Sequence, residues 1–412
     1  MEPKIRLKGF SGDWKCSNVG SECDVLTGFP FDGADICLSG DYMLMRGINI
    51  TEGVLRHSDD IDRYYTGDLS SLMKYRLRLN DLVISMDGSK VGKNSALVTS
   101  KEVDSLLVQR VARLRSDEIN TVKLLFVKIS SGAFFDYVQK KKTASAIPHI
   151  SPSDIKNFPI SLPVSNEERS SLSNYFTHLD TLISSTSRRL EKLRAVKAAS
   201  LQSMFPQEGE KEPRVRFKGF SGEWVKVQLG DIATFSKGHG YSKNDIIKTG
   251  TPIILYGSLY TKYQFAINGV NTFAKLAPGS VLSEGNEVVI PASGETTEDI
   301  ARASAVLKPN VIIGGDLNVL SFDLTKFSTP FIALIITNGA AHYTLSKSAQ
   351  GKTVVHLNNG EIRKASIYLP SLPEQTAIAN YFTHLDDLIQ STSRRLDKLR
   401  AVKAACLEGM FV

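Results

Sequence analysis

Residues 174–205 and 380–411 carry nearly the same sequence. NYFTHLDTLISSTSRRLEKLRAVKAASLQSMF recurs as NYFTHLDDLIQSTSRRLDKLRAVKAACLEGMF, identical at 26 of 32 positions with an offset of 206. A second pair, IRLKGFSGDW (5–14) and VRFKGFSGEW (215–224), recurs at an offset of 210 and holds both tryptophans of the chain. Chance does not produce such matches, so the chain is a duplication. Each repeat is a GFSG-x-W entry, a long variable stretch and a closing helix. The variable stretches, about 15–160 and 225–367, do not resemble each other closely. Two near-identical segments imply one job done twice. Two divergent segments imply two different specificities.

The closing segments read as helices. In the first, Leu172, Phe176, Leu179, Ile183, Thr186, Leu190 and Leu193 fall at alternating four- and three-residue spacing. In the second, Ile378, Phe382, Leu385, Ile389, Thr392, Leu396 and Leu399 do the same. This is the a/d pattern of a coiled-coil seam. A helix of about 36 residues spans roughly 54 Å, and one apolar stripe of that length needs a partner. The other copy is the obvious partner, and a linker holding a whole domain makes an antiparallel pair easy. Packing of each helix on its own domain is the alternative. Thr186 and Thr392 put a polar position in the stripe that helps set register. Arg188, Arg189, Lys192, Arg194 and Lys197, repeated as Arg394, Arg395, Lys398, Arg400 and Lys403, form a basic face. It is either a solvated face with acidic pairs or a surface for phosphates or partner subunits.

Length and composition bound the rest. At 412 residues the chain suits two or three domains, and a 42% hydrophobic content can fill real cores. A formal charge of +7 fits a polyanionic partner without requiring one. Four cysteines with no CxxC pair and scattered histidines argue against a zinc site or a disulfide framework. MEPKIRLKGF lacks the apolar core of a signal peptide, and the run Phe331 to Ile336 is far short of a bilayer span. A cytoplasmic protein with no membrane and no metal is expected.

Both variable stretches read as β-rich. Strand-like runs are 81–86, 95–100 and 106–114 in the first, and 252–257, 304–309 and 318–324 in the second. Helices are expected near 119–131 and 328–339. Polar stretches KKKTASAIPHIS (140–151) and KSAQGKTVVHLN (347–358) follow them. The segment 205–213 is a polar, proline-bounded linker. LPVSNEER (162–169) and LPSLPEQ (369–375) start the long helices, with Ser165 or Asn166 a candidate cap for the first. Basic and aromatic residues mix on glycine-rich turns, as in KGHGYSKND and YGSLYTKY. Such turns suit groove reading and phosphate contact, and equally suit core or edge packing.

No catalytic constellation emerges. There is no Asn-Pro or Asp-Pro dipeptide, which an amino-methyltransferase signature needs. Gly351–Lys352–Thr353 fails as a phosphate loop because Ser346 stands where the leading glycine belongs. DGSKVGK (87–93) reads as a hairpin, and SDIK (153–156) as a short fragment of no weight.

In its motifs the chain resembles the specificity subunits of type I restriction–modification systems. GFSG-x-W, LPSLPEQTAIANYFTHLDDLI and the RRLDKLR helix carry the resemblance. TGFPF (27–31), LMRGINI (44–50), DLVISMDGSKVGK (81–93) and GTPIILYG (250–257) add to it. LPVSNEER departs from the family's usual Pro-Leu-x-Glu-Gln start, which bears on local capping. The resemblance implies an α/β (α+β) fold with two β-rich target-recognition domains separated by a long antiparallel two-helix coiled coil. The boundaries are 1–160, 161–205 (first helix), 206–214 (linker), 215–367 and 368–412 (second helix). It implies a non-catalytic chain whose two domains each read half of a split site in double-stranded DNA, with the helices as spacer. Two modification (methyltransferase) subunits then methylate adenine with S-adenosylmethionine. Restriction (motor-nuclease) subunits cleave with ATP and Mg, and this chain binds none of these cofactors. Expected DNA contacts are Arg46, Asn49, Arg63, Tyr64, Ser89 and Lys90 in the first domain. In the second they are Lys237, Tyr241, Lys243, Tyr260, Lys262, Gln350 and Lys352. The competing readings are a protein-only coiled-coil adaptor and a catalytic enzyme on nucleic acid.

Overall fold

Each variable stretch is closed by a pairing between its first and last strands. In the first, Lys15–Asn18 runs antiparallel to Pro159–Leu162; in the second, Val225–Gln228 runs antiparallel to Ser366–Leu369. The chain then passes directly into a long helix, Asn166–Ser203 or Leu372–Met410. The computed structural model describes residues 2–141, 148–349, 351 and 354–411. These form two compact units, residues 1–187 with 394–412 and residues 188–393. Each unit therefore takes one portion of both long helices.

The first unit is built on an antiparallel sheet ordered Asp24–Thr27, Val111–Arg115, Leu82–Ser85, Ser95–Leu97. Leu82–Ser85 is buried along its whole length, as expected for a central strand covered on both faces. The helix Ile119–Ser130 buries Val122, Leu124, Leu125, Val127 and Ile129. Ala133–Lys141 follows it as a second helix. Tyr42–Met45 pairs in parallel with Leu106–Leu107 and antiparallel with Tyr64–Tyr65. One core cluster runs from Trp14 through Leu82, Ile84 and Phe134 to Phe176 on the first long helix and Phe411 just past the end of the second.

The second unit repeats this build on a different sequence. Its sheet is ordered Ala233–Lys237, Leu317–Phe322, Glu287–Pro291, Ser304–Val306, Ala266–Ile267. Thr251–Ile254 pairs in parallel with Pro309–Ile313, and the helices are Thr329–Asn338 and Ala340–Ser348. Its core gathers Trp224, Phe205, Phe331 and Phe382.

The run 106–114, expected as one strand, is two. Arg110 takes a left-handed conformation (φ +66°) between Leu106–Leu107 and Val111–Arg115, so the chain turns there. β-Propensity alone does not reveal such a turn, because nothing in LLVQRVARL is glycine, proline or asparagine. The two short helices Ala133–Lys141 and Ala340–Ser348 are likewise additions to what the periodicity predicts.

Candidate nucleic-acid interface

The repeated entry motif is a clamp. In each copy both glycines of GFSG have left-handed backbones: Gly9 and Gly12 at φ +99° and +89°, Gly219 and Gly222 at +99° and +90°. That is the conformation glycine alone takes without strain. The turn presents the carbonyls of Ser11 and Gly12 to the Arg6 guanidinium, at 3.0 and 2.5 Å. Ser221 and Gly222 receive Arg216 in the same way, at 3.2 and 2.6 Å. The other edge of each guanidinium meets a buried carboxylate on the first turn of a long helix, Glu168 or Glu374. Trp14 also donates its indole N–H to Glu168. The neighbouring residue does a second equivalent task. Arg169 donates to Thr121 Oγ1 at 3.0 Å, and Gln375 Oε1 accepts from Ser328 N at 3.0 Å. Each ties a long helix to the start of the apolar helix of its domain. Glu168 N donates to Ser165 Oγ at 3.4 Å, which makes Ser165 the cap.

The long helices meet antiparallel within each unit, through equivalent positions of the repeat. In the first unit Lys403 donates to Asp180 at 2.5 Å and the Tyr175 phenol lies 3.4 Å from Cys406 Sγ. In the second, Lys197 donates to Asp386 at 2.5 Å and Ser200 Oγ lies 2.9 Å from the Tyr381 phenol. The hydrogen bond to Cys406, with burial, pushes the Tyr175 phenol up to about 12. Along the stripe Leu172, Phe176, Leu179, Thr186 and Leu190 are buried, as are Ile378, Phe382, Leu385, Thr392 and Leu396. Ile183, Leu193, Ile389 and Leu399 are half-buried.

The expected DNA contacts separate into internal and exposed groups. Asn49 is fully buried. Its amide donates to Asp62 Oδ1 at 2.9 Å and Arg56 O at 3.2 Å, while its own Oδ1 accepts from Arg46 N. It fastens a loop and has no edge to offer a base. Arg46 is half-buried and donates to Ile61 O at 3.4 Å; Arg63 donates to Asp62 O at 2.6 Å. Tyr64 lies in the strand paired with Met43. Arg46, Asn49, Arg63 and Tyr64 thus form one loop-and-strand assembly. Ser89 and Lys90 stand apart as exposed residues of the 87–93 turn, where Lys90 reaches Glu52 at 2.9 Å.

In the second unit Tyr241 and Tyr260 are half-buried organisers. The Tyr241 phenol lies 2.5 Å from Ser280 Oγ, donates to Lys275 O at 3.0 Å and accepts from Ala277 N at 3.0 Å. The Tyr260 phenol donates to Ser293 O at 2.6 Å, and burial pushes its pKa well up. Lys237, Lys243 and Lys262 are exposed. Gln350 and Lys352 lie outside the described residues, as do parts of the polar stretches 140–151 and 347–358.

Sequence reasoning passed over the clamp pairs, although Arg6 with Arg216 and Glu168 with Glu374 recur at the repeat offsets. It also passed over His57, whose ring nitrogens lie 3.2 Å from Asp62 Oδ1 and 2.9 Å from Glu102 Oε1. All four cysteines are free thiols. Among the described residues no group of three or more His, Cys, Asp or Glu side chains is placed to hold a metal ion. No helix among them is long and apolar enough to cross a membrane.

Residues 221–401 match the model of the type I restriction modification DNA specificity domain. The type I restriction enzyme MjaVIII specificity subunit of Methanocaldococcus jannaschii is 21% identical over 337 residues, covering 79% of this chain and 76% of that one. The fold is similar to the crystal structure of a type I restriction–modification S subunit from M. genitalium. That likeness has a TM-score of 0.63 at 15% identity and covers 100% of this chain and 99% of the other. The second half of the chain thus carries the match to that DNA specificity domain, and the first half is built on the same duplicated frame.

Proposed function

We propose that each of the two domains reads one half of a split, asymmetric site in double-stranded DNA. One observation carries this reading: a single backbone frame, tied by the same clamp and the same helix contacts, is built twice and bears unlike side chains on its loops. A frame held constant while its loops diverge suits two readers of different sequences. Its exposed lysines suit phosphates, which set affinity and salt dependence, and polar side chains at base edges set specificity. The paired helices act as the spacer between the two readings. The duplicated helix and clamp surfaces offer two equivalent docking places, which suits two copies of a modification subunit. On this reading adenine methylation with S-adenosylmethionine, and cleavage with ATP and Mg, belong to the modification and restriction subunits. This chain contributes recognition and holds none of those cofactors.

The test is to map methylated adenines genome-wide in cells with the modification subunit, with and without this chain. The expected result is loss of one two-part motif when the chain is removed. Unchanged methylation, or loss of an undivided motif, overturns the reading. A protein-only adaptor is separated from it by duplex binding of the assembled complex, which an adaptor does not alter.

A further inference from the structure

Each unit has a corner where three segments meet, and the two corners correspond bond for bond. In the first, Met86 N donates to Arg110 O and Ile150 N donates to Met86 O, both at 2.9 Å. In the second, Ala292 N donates to Asp316 O at 2.8 Å and Leu357 N donates to Ala292 O at 3.0 Å. The flanking loops agree as well: Gly28 N donates to Val111 O and Gly238 N to Leu317 O, each at 3.0 Å. Arg110 is therefore the counterpart of Asp316, Asp87 of Ser293, and His149 of His356. The sequences at these corners do not align; the backbone bonds make the correspondence.

Arg110 and Asp316 share an uncommon property. Both have left-handed backbones, at φ +66° and +59°. Glycine takes that conformation without strain; Asn80, Asp104, Tyr241 and Asn310 share it, and Arg110 and Asp316 are set apart by standing at the same corner of the duplicated frame. Both side chains are exposed, Arg110 to 65%. Both are also aimed by a neighbour. Arg110 Nη1 lies 3.5 Å from Asp87 Oδ2. Asp316 Oδ2 accepts from Ser293 Oγ at 3.2 Å, and Ser293 Oγ lies 3.3 Å from His356 Nδ1. The backbone of Ser293 is in turn held by Tyr260. At one shared position, then, one domain presents a cation with forked donors and the other an acceptor.

We propose that Arg110 and Asp316 are paired specificity-determining residues, Arg110 reading a guanine in one half-site and Asp316 a cytosine in the other. The inference rests on the two-reader function. The guanidinium fork matches the O6 and N7 acceptors that guanine shows in the major groove. A carboxylate only accepts, and the N4 amino group of cytosine is a donor in the same groove. On the two-reader function these corners face DNA, and because phosphates repel a carboxylate, an acidic side chain there is favourable only where a base edge donates to it.

The test uses the full chain assembled with its modification subunits and a library of duplexes with randomised positions. Arg110→Gly and Asp316→Gly suit the left-handed backbone, so both variants should melt no lower than the parent. The parent is expected to enrich a two-part sequence. Arg110→Gly should lose guanine preference by about tenfold or more at one position of one half, with the other half intact. Asp316→Gly should lose cytosine preference likewise in the other half. Parent preferences retained at every position, or loss of some other base, overturn the inference and leave the two-reader function standing. A parent that enriches no two-part sequence overturns both.

Discussion

Arg6 holds Glu168 by two hydrogen bonds of 2.8 Å each, joining residues 162 apart in the chain. Arg216 holds Glu374 in the same way at 2.6 and 2.7 Å. Each pair closes a whole domain, bringing its entry turn onto the first turn of its long helix. Both carboxylates are almost fully buried, at 2% and 1% exposure. A buried charge without its partner keeps its desolvation penalty and loses the bond that offsets it.

Replacing Glu374 with Ala removes two charge-assisted hydrogen bonds, and the expected loss of stability is about 2–3 kcal/mol. Glu168→Ala should lose at least as much, since it breaks the same two bonds to arginine and also the one from the Trp14 indole. Urea denaturation of each variant reads the change. A midpoint equal to the parent's shows that the clamp is dispensable.

At the helix contacts the apolar anchors should outweigh the ion pairs. Phe176 and Phe382 are fully buried, and truncating either to Ala costs about 3–5 kcal/mol. Lys403 and Asp180 keep 24% and 39% of their side-chain surface exposed, so water screens the pair. Lys403→Ala should cost about 0.2–1 kcal/mol, and Lys197→Ala about the same. Thermal melts of the four variants rank the effects, and the reverse order would refute the assignment of stability to packing.

The first unit should weaken in acid through Glu102. Burial alone raises the pKa of this carboxyl, but hydrogen bonds from Thr99 and His57 outweigh it and hold the folded value below the ordinary 4.5. A group depressed on folding contributes stability above its unfolded pKa and loses it as pH falls through the folded one. The parent should therefore lose stability below about pH 4.5, and Glu102→Gln should lose less over that range. Urea midpoints at pH 6 and pH 4 decide it. Equal drops in the two proteins would place the acid sensitivity on other groups.

The duplication and the stripe were legible because repetition and periodicity are properties of sequence. Phe176 and Phe382 could be named because a seam buries residues at fixed spacing. The likeness of the two domains was not legible. It resides in backbone bonds such as Met86 N to Arg110 O, which any side chain permits. For the same reason the turn at Arg110 was hidden within an apparently continuous strand. Tyrosine and asparagine give little away in sequence. Their polar ends fasten loops as readily as they meet a ligand, and Asn49 and Tyr241 are spent on their own chain.

That distinction predicts opposite behaviour from two kinds of residue in the second domain. Lys237, Lys243 and Lys262 are exposed, so their charge is free to neutralise phosphate. Replacing all three with Ala should weaken duplex binding across sequences. It should also flatten the dependence of log K on log salt by about 0.9 for each phosphate no longer neutralised. Tyr260 instead spends its phenol on Ser293 O. Tyr260→Phe should cost about 1 kcal/mol of stability and leave the salt slope unchanged. Binding titrations over a range of salt, paired with melts, separate the two. A flattened slope in Tyr260→Phe, or an unchanged one in the triple lysine variant, would reverse the roles given to these side chains.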